Sequence, residues 1–321
     1  MRLVFMGTPE FAVPSLEALA SHHEIFLVLT QPDRPAGRGR KLVPPPVRAQ
    51  ALDMGLRVIQ PESANHPDVL ALIQEMRPQV IAVVAYGCIL KRPLLEAPTI
   101  APVNLHASLL PRYRGVAPIN RAIMEGEQVT GVTTIHMDEG IDTGPMLLQE
   151  RVEIGPNETA GELSERLAKV GAKVLLRTVD ELEAGVLKEI PQDDSLATYA
   201  RKLKKSDGMI PWERPAPSVV NHVRGVTPWP GAVTYLEGLS IKVLDAKVAQ
   251  ASDLEAAGLP QGPTQDPGTV IGPASEGPIV ATGRGAVVLC KVCPEGKKPM
   301  IGSAWARGKR ALVGCRFTAQ T

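Results

Sequence analysis

The first 200 residues alternate short, continuous apolar runs with stretches of helical periodicity. Apolar residues fill most positions of residues 3–6, 24–29 and 80–85, and four of the six residues in the last run are Val or Ile. A strand that is covered on both faces carries apolar side chains at every position, whereas a strand with one wet face alternates. Residues 159–182 carry apolar side chains at helical spacing. The sequence therefore predicts an α/β domain built on a mostly parallel sheet with helices on both faces.

The pattern changes towards the carboxyl-terminal part of the chain. Residues 183–217 contain four prolines, and beyond them short Val- and Ile-rich runs alternate with Gly and Pro turns, as at residues 232–236 and 241–248. Regular short strands with turn signals indicate a small barrel or a sandwich. We expect a first domain over residues 1–187, a linker over residues 188–206 and a second domain over residues 207–321.

Charge is distributed unevenly, although the whole chain carries a net charge of only +1. Sixteen basic and nine acidic side chains give residues 201–321 a net charge of +7, which leaves −6 for residues 1–200. Within residues 281–321, eight basic side chains face a single acidic one, Glu295. This asymmetry indicates either a polyanionic partner for the basic half or a solvated basic face without a partner.

The number of cysteines and the length of the apolar segments indicate the cellular compartment of the protein. Four cysteines in 321 residues are too few for a disulfide framework, and the Cys290–Cys293 pair lacks the further ligands of a structural zinc site. The amino terminus lacks the order of a signal peptide, and no apolar run approaches the ~20 residues of a membrane span. We expect a cytoplasmic protein without a metal and without a membrane partner.

Common nucleotide-binding and hydrolytic motifs are missing. The turn after the first apolar run has a single glycine, Gly7, whereas a dinucleotide-binding fingerprint needs three. The phosphate-binding G-x-x-x-x-G-K-[ST] loop, H-E-x-x-H and G-x-S-x-G do not occur either. NAD-dependent oxidation, ATP hydrolysis and serine hydrolase chemistry therefore lose their main support.

Three polar residues form the candidate catalytic set. Asn104 and His106 are two residues apart, so they point the same way on an extended strand. Asp142 lies in a Gly-Ile-Asp-Thr-Gly segment that can bring a carboxylate to the same crevice. An amide can stabilise a developing oxyanion, an imidazole can move protons and a carboxylate can orient the imidazole. Each residue alone is more typical of a structural role, but together they indicate acyl transfer.

The segments around these residues carry a family resemblance. N-L-H-A-S-L-L-P-R-Y-R-G at 104–115 and D-E-G-I-D-T-G at 138–144 resemble the signature of the folate-dependent formyltransferases. T-Q-P-D-R-P-A-G-R-G at 30–39 and P-W-P-G at 228–231 are similar to the branch of this family that acts on initiator methionyl-tRNA. The resemblance runs nearly end to end, and it implies a Rossmann-like catalytic domain followed by a smaller OB-like β-barrel.

The resemblance implies roles for the candidate residues. Asn104 and His106 would stabilise the oxyanion formed when an amine attacks the formyl carbon of 10-formyltetrahydrofolate. His106, assisted by Asp142 in part through an ordered water, would carry the proton to the leaving folate nitrogen. Backbone groups of two segments would hold the folate: Ser108, Leu109, Leu110 and Pro111, and Gly87, Cys88, Ile89 and Leu90. Cys88 stands where the family often has an aliphatic residue, so we do not expect a nucleophile there.

The resemblance also implies where tRNA binds. The basic loop at 31–46 would order on the acceptor end, with Arg38 reaching into it, and the barrel would contact phosphates. The basic residues expected to contact tRNA are Arg38, Arg40, Lys41, Lys297, Lys298 and Arg307. We expect a monomer.

Three other interpretations remain open. A formyltransferase that acts on a sugar nucleotide or on glycinamide ribonucleotide would share Asn104, His106 and Asp142 but would not need the basic barrel. A tRNA-binding module with an inactive transferase domain would not need the intact set. An NAD-dependent oxidoreductase is disfavoured by the single glycine at Gly7.

Overall fold

The computed structural model describes residues 1–36, 41–259, 264–309 and 312–319. The chain forms two compact units. The first comprises Met1–Pro118, Val129–Glu153 and Ser164–Ala200, and the second comprises Ile119–Gln128, Ile154–Leu163 and Arg201–Thr321. Residues 188–200 of the expected linker therefore lie within the first unit.

The secondary structure follows the chain in this order. The strands are β1 (Arg2–Gly7), β2 (Glu24–Leu29), β3 (Arg34–Ala36), β4 (Lys41–Val43), β5 (Val58–Ile59), β6 (Val80–Val84), β7 (Ala101–His106), β8 (Arg114–Gly115), β9 (Val129–His136), β10 (Met146–Glu153), β11 (Tyr199–Ala200), β12 (Ala232–Leu236), β13 (Leu239–Val248), β14 (Val270–Pro273), β15 (Pro278–Ala281), β16 (Ala286–Pro294) and β17 (Met300–Ile301). The helices are α1 (Val13–Ala20), α2 (Pro46–Asp53), α3 (Pro67–Met76), α4 (Arg92–Leu95), α5 (Pro118–Met124), α6 (Ala160–Glu183), α7 (Ala216–Gly225), α8 (Ala251–Ala256) and α9 (Gly302–Arg307).

The first unit is built on a seven-stranded sheet in the order β10-β9-β7-β6-β1-β2-β5. The strands β7, β6, β1, β2 and β5 are parallel to one another, and β9 and β10 extend one edge of the sheet in antiparallel orientation. All five residues of β6 are buried, as the continuous apolar run predicts for a strand covered on both faces. Ile73 of α3 packs with Val4 and Met6 of β1 in one apolar layer. The predicted α/β class and mostly parallel sheet are confirmed.

The direction of the strands brings two loops to one edge of this sheet. β6 and β7 are parallel neighbours, with Val83 opposite Asn104 and Val84 opposite Leu105. The segment after Val84 and the segment after His106 therefore both leave the carboxyl edge. In open α/β sheets the crevice outside this edge is where ligands bind.

The second unit is an antiparallel sheet that closes on itself. Its strands run in the order β12-β13-β16-β15-β14, with β17 beside β16. Backbone bonds from Tyr235 to Thr318 and from Val270 to Cys315 join the outer strands β12 and β14 through residues 315–318. These bonds connect the two outer strands of the sheet, and the predicted smaller antiparallel barrel is confirmed.

Three of the eleven aromatic residues in the chain lie in the core of this unit. The ring of Phe317 stacks against Trp212, with centroids 5.6 Å apart, and against Trp305 at 6.2 Å. These rings are buried and pack with α7 residues such as Val219. Aromatic side chains that fill a core are not available for stacking on bases.

Within the described ranges, every helix is too short or too polar to cross a membrane.

Candidate active site

Strand β7 positions two of the three candidate side chains. Asn104 is half-buried and His106 is 6% exposed, and both lie in the last three residues of the strand. On the neighbouring antiparallel strand β9, Ile135 stands opposite Asn104 and Thr133 opposite His106. Two ladders therefore hold the backbone beneath these side chains, which fixes their direction.

The loop between β9 and β10 positions the third side chain. Asp142 has a φ of 55°, in the left-handed region that non-glycine residues rarely adopt. A Cβ on the nearby Gly144 would overlap the carbonyl oxygen of His136, so only glycine lets the loop approach β9 this closely. Asp138 ties the same loop by accepting hydrogen bonds from the Thr143 hydroxyl at 2.7 Å and the Gly140 N–H at 3.0 Å.

The Asp142 carboxylate joins the three candidate residues. Its Oδ1 accepts a hydrogen bond from Asn104 Nδ2 at 3.3 Å. Its Oδ2 accepts the Gly115 N–H at 2.8 Å and lies 3.4 Å from His106 Nδ1. The carboxylate is 14% exposed, so these contacts are shielded from bulk water. The structure thus brings together Asn104, His106 and Asp142, which are separated by up to 38 residues in the chain.

A backbone contact determines which nitrogen of His106 carries a proton. Nε2 lies 2.9 Å from the carbonyl oxygen of Tyr113. A carbonyl oxygen only accepts hydrogen bonds, so Nε2 must be the donor. In the neutral ring Nδ1 is then the basic nitrogen, and it faces Asp142. In this tautomer Nδ1 is the ring atom that is free to accept a proton.

The predicted folate segment at 108–111 uses several of its backbone groups internally. The buried Thr133 hydroxyl donates to the Ser108 carbonyl at 2.7 Å and accepts the Leu110 N–H at 3.2 Å. Gln149 Nε2 donates to the Leu110 carbonyl at 3.1 Å and to Thr133 Oγ1 at 2.9 Å. These bonds hold the segment in shape beside β9 and β10. Its contact with folate stays a prediction.

The second predicted folate segment, residues 87–90, follows β6 at the carboxyl edge. Cys88 is exposed and Ile89 is 66% exposed, whereas Leu90 is buried. Asn65 holds this segment, since its Nδ2 donates to the Ile89 carbonyl at 2.8 Å. Burial raises the pKa of the neighbouring Tyr86 to about 12, so this phenol stays protonated at neutral pH.

The predicted tRNA-binding residues fall in two places. Arg38 and Arg40 lie outside the described residues, as does the side chain of Lys41, whose backbone begins β4. Lys297 and Lys298 are exposed in the turn between β16 and β17, and Arg307 is exposed at the end of α9. Their contact with tRNA stays a prediction.

Sequence reasoning missed the residues that support the catalytic set. Gln192 Nε2 donates to the carbonyl oxygens of Asp142 and Gly144, and the Thr198 hydroxyl accepts the N–H of Tyr113. Both lie in a polar, proline-containing stretch without periodicity, which offered no signal beyond that of a linker.

Comparisons with known proteins identify the family of this chain. Residues 1–179 match the Formyl transferase family model, and residues 202–310 match the model of the Formyl transferase C-terminal domain. The methionyl-tRNA formyltransferase of Moorella thermoacetica is 47% identical over 98% of this chain and 98% of its own length. That of Heliobacterium modesticaldum is 46% identical over 99% of this chain and its own full length.

A solved structure shows the same fold at lower identity. The N-formyltransferase of Helicobacter canadensis, in complex with folinic acid and dTDP-3-aminofucose, has a TM-score of 0.64 and 18% identity, covering 89% of this chain and 98% of that one. Two family models that span nearly the whole sequence, and relatives of matching length, settle the classification. The chain belongs to the formyl transferase family, among the methionyl-tRNA formyltransferases.

Proposed function

We propose that the protein transfers the formyl group of 10-formyltetrahydrofolate to the α-amine of methionine on initiator methionyl-tRNA. The observation that carries this proposal is the single carboxylate of Asp142, which contacts Asn104 and lies 3.4 Å from His106 Nδ1. An oriented amide, an imidazole and a carboxylate at the carboxyl edge of a parallel sheet suit attack by an amine on a formyl carbon.

Each side chain has one task in this reaction. Asn104 holds Asp142 with one N–H and donates its second N–H to the oxyanion that develops when the amine adds to the formyl carbon. His106 Nδ1 takes the proton that the amine loses and delivers it to the folate nitrogen as the carbon–nitrogen bond to folate breaks. Asp142 stabilises the charged imidazole between these two transfers. The formyl group and one proton exchange places, so no oxidant or reductant is required.

The proposal also assigns the binding of folate and of tRNA to different parts of the chain. We assign folate binding to segments 87–90 and 108–111, at the edge where β6 and β7 end. We assign tRNA binding to the loop at 31–46 and to the barrel over 207–321, supported by the net charge of +7 in residues 201–321. Phosphate contacts by Lys and Arg suit this barrel, because its core uses two of the three Trp residues. Such a reaction belongs in the cytoplasm, where aminoacyl-tRNA is available.

The proposal is tested by offering different amine acceptors. The protein is incubated with 10-formyltetrahydrofolate and with methionyl-tRNA, glycinamide ribonucleotide or a dTDP-amino sugar, and formylated product is measured by mass spectrometry. We expect formylation of methionyl-tRNA, with little product from the two small acceptors. Preferential formylation of either small acceptor would replace this function by the alternative within the same family.

A further inference from the structure

We infer that Gln192 is a positioning residue that holds the catalytic Asp142 in place, as part of a support segment formed by residues 191–200. This inference rests on the proposed function, because it concerns how the same site reaches its working geometry. It also gives residues that were expected to form a linker a part in catalysis.

Hydrogen bonds fix the Gln192 side chain in one orientation. Its Oε1 accepts from Arg114 Nε at 3.0 Å and from Arg114 Nη2 at 2.8 Å. Its Nε2 donates to the carbonyl oxygens of Asp142 at 2.8 Å and Gly144 at 2.7 Å. Since a guanidinium only donates and a carbonyl only accepts, the reversed amide would lose all four bonds.

Arg114 is itself held firmly. It is 2% exposed, and its Nη2 also donates to Asp194 Oδ1 at 2.7 Å. A buried guanidinium is costly unless its donors are satisfied, so Gln192 and Asp194 stabilise it together. The result is a chain of contacts from a buried charge, through one amide, to the catalytic loop.

The two carbonyl oxygens held by Gln192 flank a strained turn. Asp142 has a φ of 55°, in the left-handed region that a residue with a Cβ rarely adopts. If Gln192 did not hold the carbonyl of Asp142, the loop could relax towards a less strained backbone. The carboxylate would then turn away from Asn104 and His106, whose contacts with it are 3.3–3.4 Å long.

The same support segment also reaches His106. The Thr198 hydroxyl accepts the N–H of Tyr113 at 2.8 Å, and the Thr198 carbonyl accepts the N–H of Arg114 at 2.8 Å. The carbonyl of Tyr113 is the partner of His106 Nε2. Residues 191–200 thus fix both members of the His106–Asp142 pair relative to each other.

The substitution Gln192→Glu separates this role from packing. The glutamate keeps an oxygen for Arg114 and the same shape, but as a carboxylate it has no hydrogen for the carbonyls of Asp142 and Gly144. Gln79→Glu is the matched control: Gln79 lies at the amino end of β6, and its Oε1 accepts the Arg2 N–H, which a glutamate can also accept. Both variants add one negative charge to the first unit.

We expect the single-turnover rate constant at saturating methionyl-tRNA and folate to fall about 10- to 100-fold in Gln192→Glu. We expect the folate Kd and the melting temperature to stay close to those of Gln79→Glu. The ¹⁵N signals of the His106 ring should shift in Gln192→Glu and not in Gln79→Glu. The ring signals need no turnover, so they report on the positioning even if methionyl-tRNA is not the acceptor.

Equal rate constants in the two variants, with unchanged His106 signals, would overturn the positioning role. If Gln192→Glu does not fold, Thr198→Val replaces it, because valine matches the shape of threonine and removes only the hydroxyl that holds Tyr113. A folded Thr198→Val with normal rate constant and His106 signals would then overturn the role of the segment. If the wild-type protein formylates no acceptor but the His106 signals still shift in Gln192→Glu, the proposed function is refuted and the positioning role of Gln192 stands.

Discussion

At the scale of single residues, the proposed reaction depends on which nitrogen of His106 carries a proton. The carbonyl of Tyr113 requires a proton on His106 Nε2, which leaves Nδ1 as the basic atom beside Asp142. We therefore expect His106 to take a direct part in proton transfer.

Replacing His106 by Ala should lower the rate constant of formyl transfer by about 10²-fold or more, because a positioned acid–base group contributes roughly 10²–10⁴-fold. Folate affinity should change much less, since the folate segments expected at 87–90 and 108–111 act through their backbone. Single-turnover kinetics and equilibrium folate binding measure the two quantities separately. His66→Ala, at an exposed position before α3, serves as the control. A near-normal rate constant in His106→Ala would refute its role in proton transfer.

At the scale of elements, the candidate site is built by the loop between β9 and β10 together with the strand that carries Asn104 and His106. The strand is fixed by regular ladders, whereas the loop depends on Gly144 and on side chains from elsewhere. A Cβ at Gly144 would overlap the His136 carbonyl oxygen, a backbone atom that cannot move aside as a side chain can.

Gly144→Ala should therefore displace the loop and lower the rate constant by at least about tenfold, because misplacement by about 1 Å can cost 10²-fold. Gly308→Ala is the control, since a Cβ there would meet its nearest neighbour, the Trp305 carbonyl oxygen, at 3.4 Å. Kinetics and melting temperature are compared for both variants. If Gly144→Ala kept the rate constant of Gly308→Ala, close approach of the loop would not be required for catalysis.

Helix α7 contributes a different dependence, on pH. Burial lowers the pKa of His222 to about 4, and the nearby Arg214 adds to this effect, while Asp207 opposes it. Between about pH 6.5 and pH 4 the unfolded chain binds a proton that the folded chain does not, so the free energy of unfolding falls as the pH falls through this window. The full cost is on the order of 3 kcal/mol.

The melting temperature should therefore drop less between about pH 7.5 and pH 5 in His222→Gln than in the wild type. The glutamine cannot take up the proton that penalises the folded state. His66→Gln, at an exposed site, should keep the wild-type pH dependence. Equal pH dependence in His222→Gln and the wild type would show that His222 does not control acid stability.

At the scale of the whole molecule, the candidate catalytic residues and the excess of basic side chains lie in different parts of the sequence. The catalytic set lies in residues 1–200, with a net charge of −6, while residues 201–321 carry +7. A basic barrel can attract a polyanion without changing the reaction at Asp142. Binding of tRNA should then depend on salt far more steeply than binding of folate.

Replacing Lys297, Lys298 and Arg307 by Ala should weaken tRNA binding and flatten its salt dependence, by roughly 0.7–0.9 in slope for each lost phosphate contact. The rate constant at saturating tRNA should stay normal. Arg38→Ala should instead lower the rate constant at saturation if its loop positions the aminoacyl end. A salt series of tRNA binding and single-turnover rates measures both. An unaltered salt slope in the triple variant would show that these side chains form a solvated face without a partner.

The sequence predicts the helices and strands that follow a local pattern of apolar residues. It does not predict hydrogen bonds between segments that are far apart in the chain. The apolar run at 80–85 forms β6 at Val80–Val84, and the residues with helical periodicity at 159–182 form α6 at Ala160–Glu183. Both were predictable because the order of apolar residues along the chain reflects which side chains are buried. The contact of Gln192 with Asp142 spans 50 residues and follows no periodicity. Closure of the barrel by residues 315–318 likewise depends on two strands meeting in space.

The position of the support segment in the chain has a consequence for synthesis on the ribosome. The last strand of the seven-stranded sheet ends at Glu153, and the residues that hold the catalytic loop extend to Ala200. At ordinary elongation rates of about 5–20 residues per second, roughly two to ten seconds separate these two points. A nascent chain thus contains every strand of that sheet, and Asn104, His106 and Asp142, before Gln192 and Thr198 have been made. The residues that hold the catalytic loop are therefore the last part of the first unit to be synthesised.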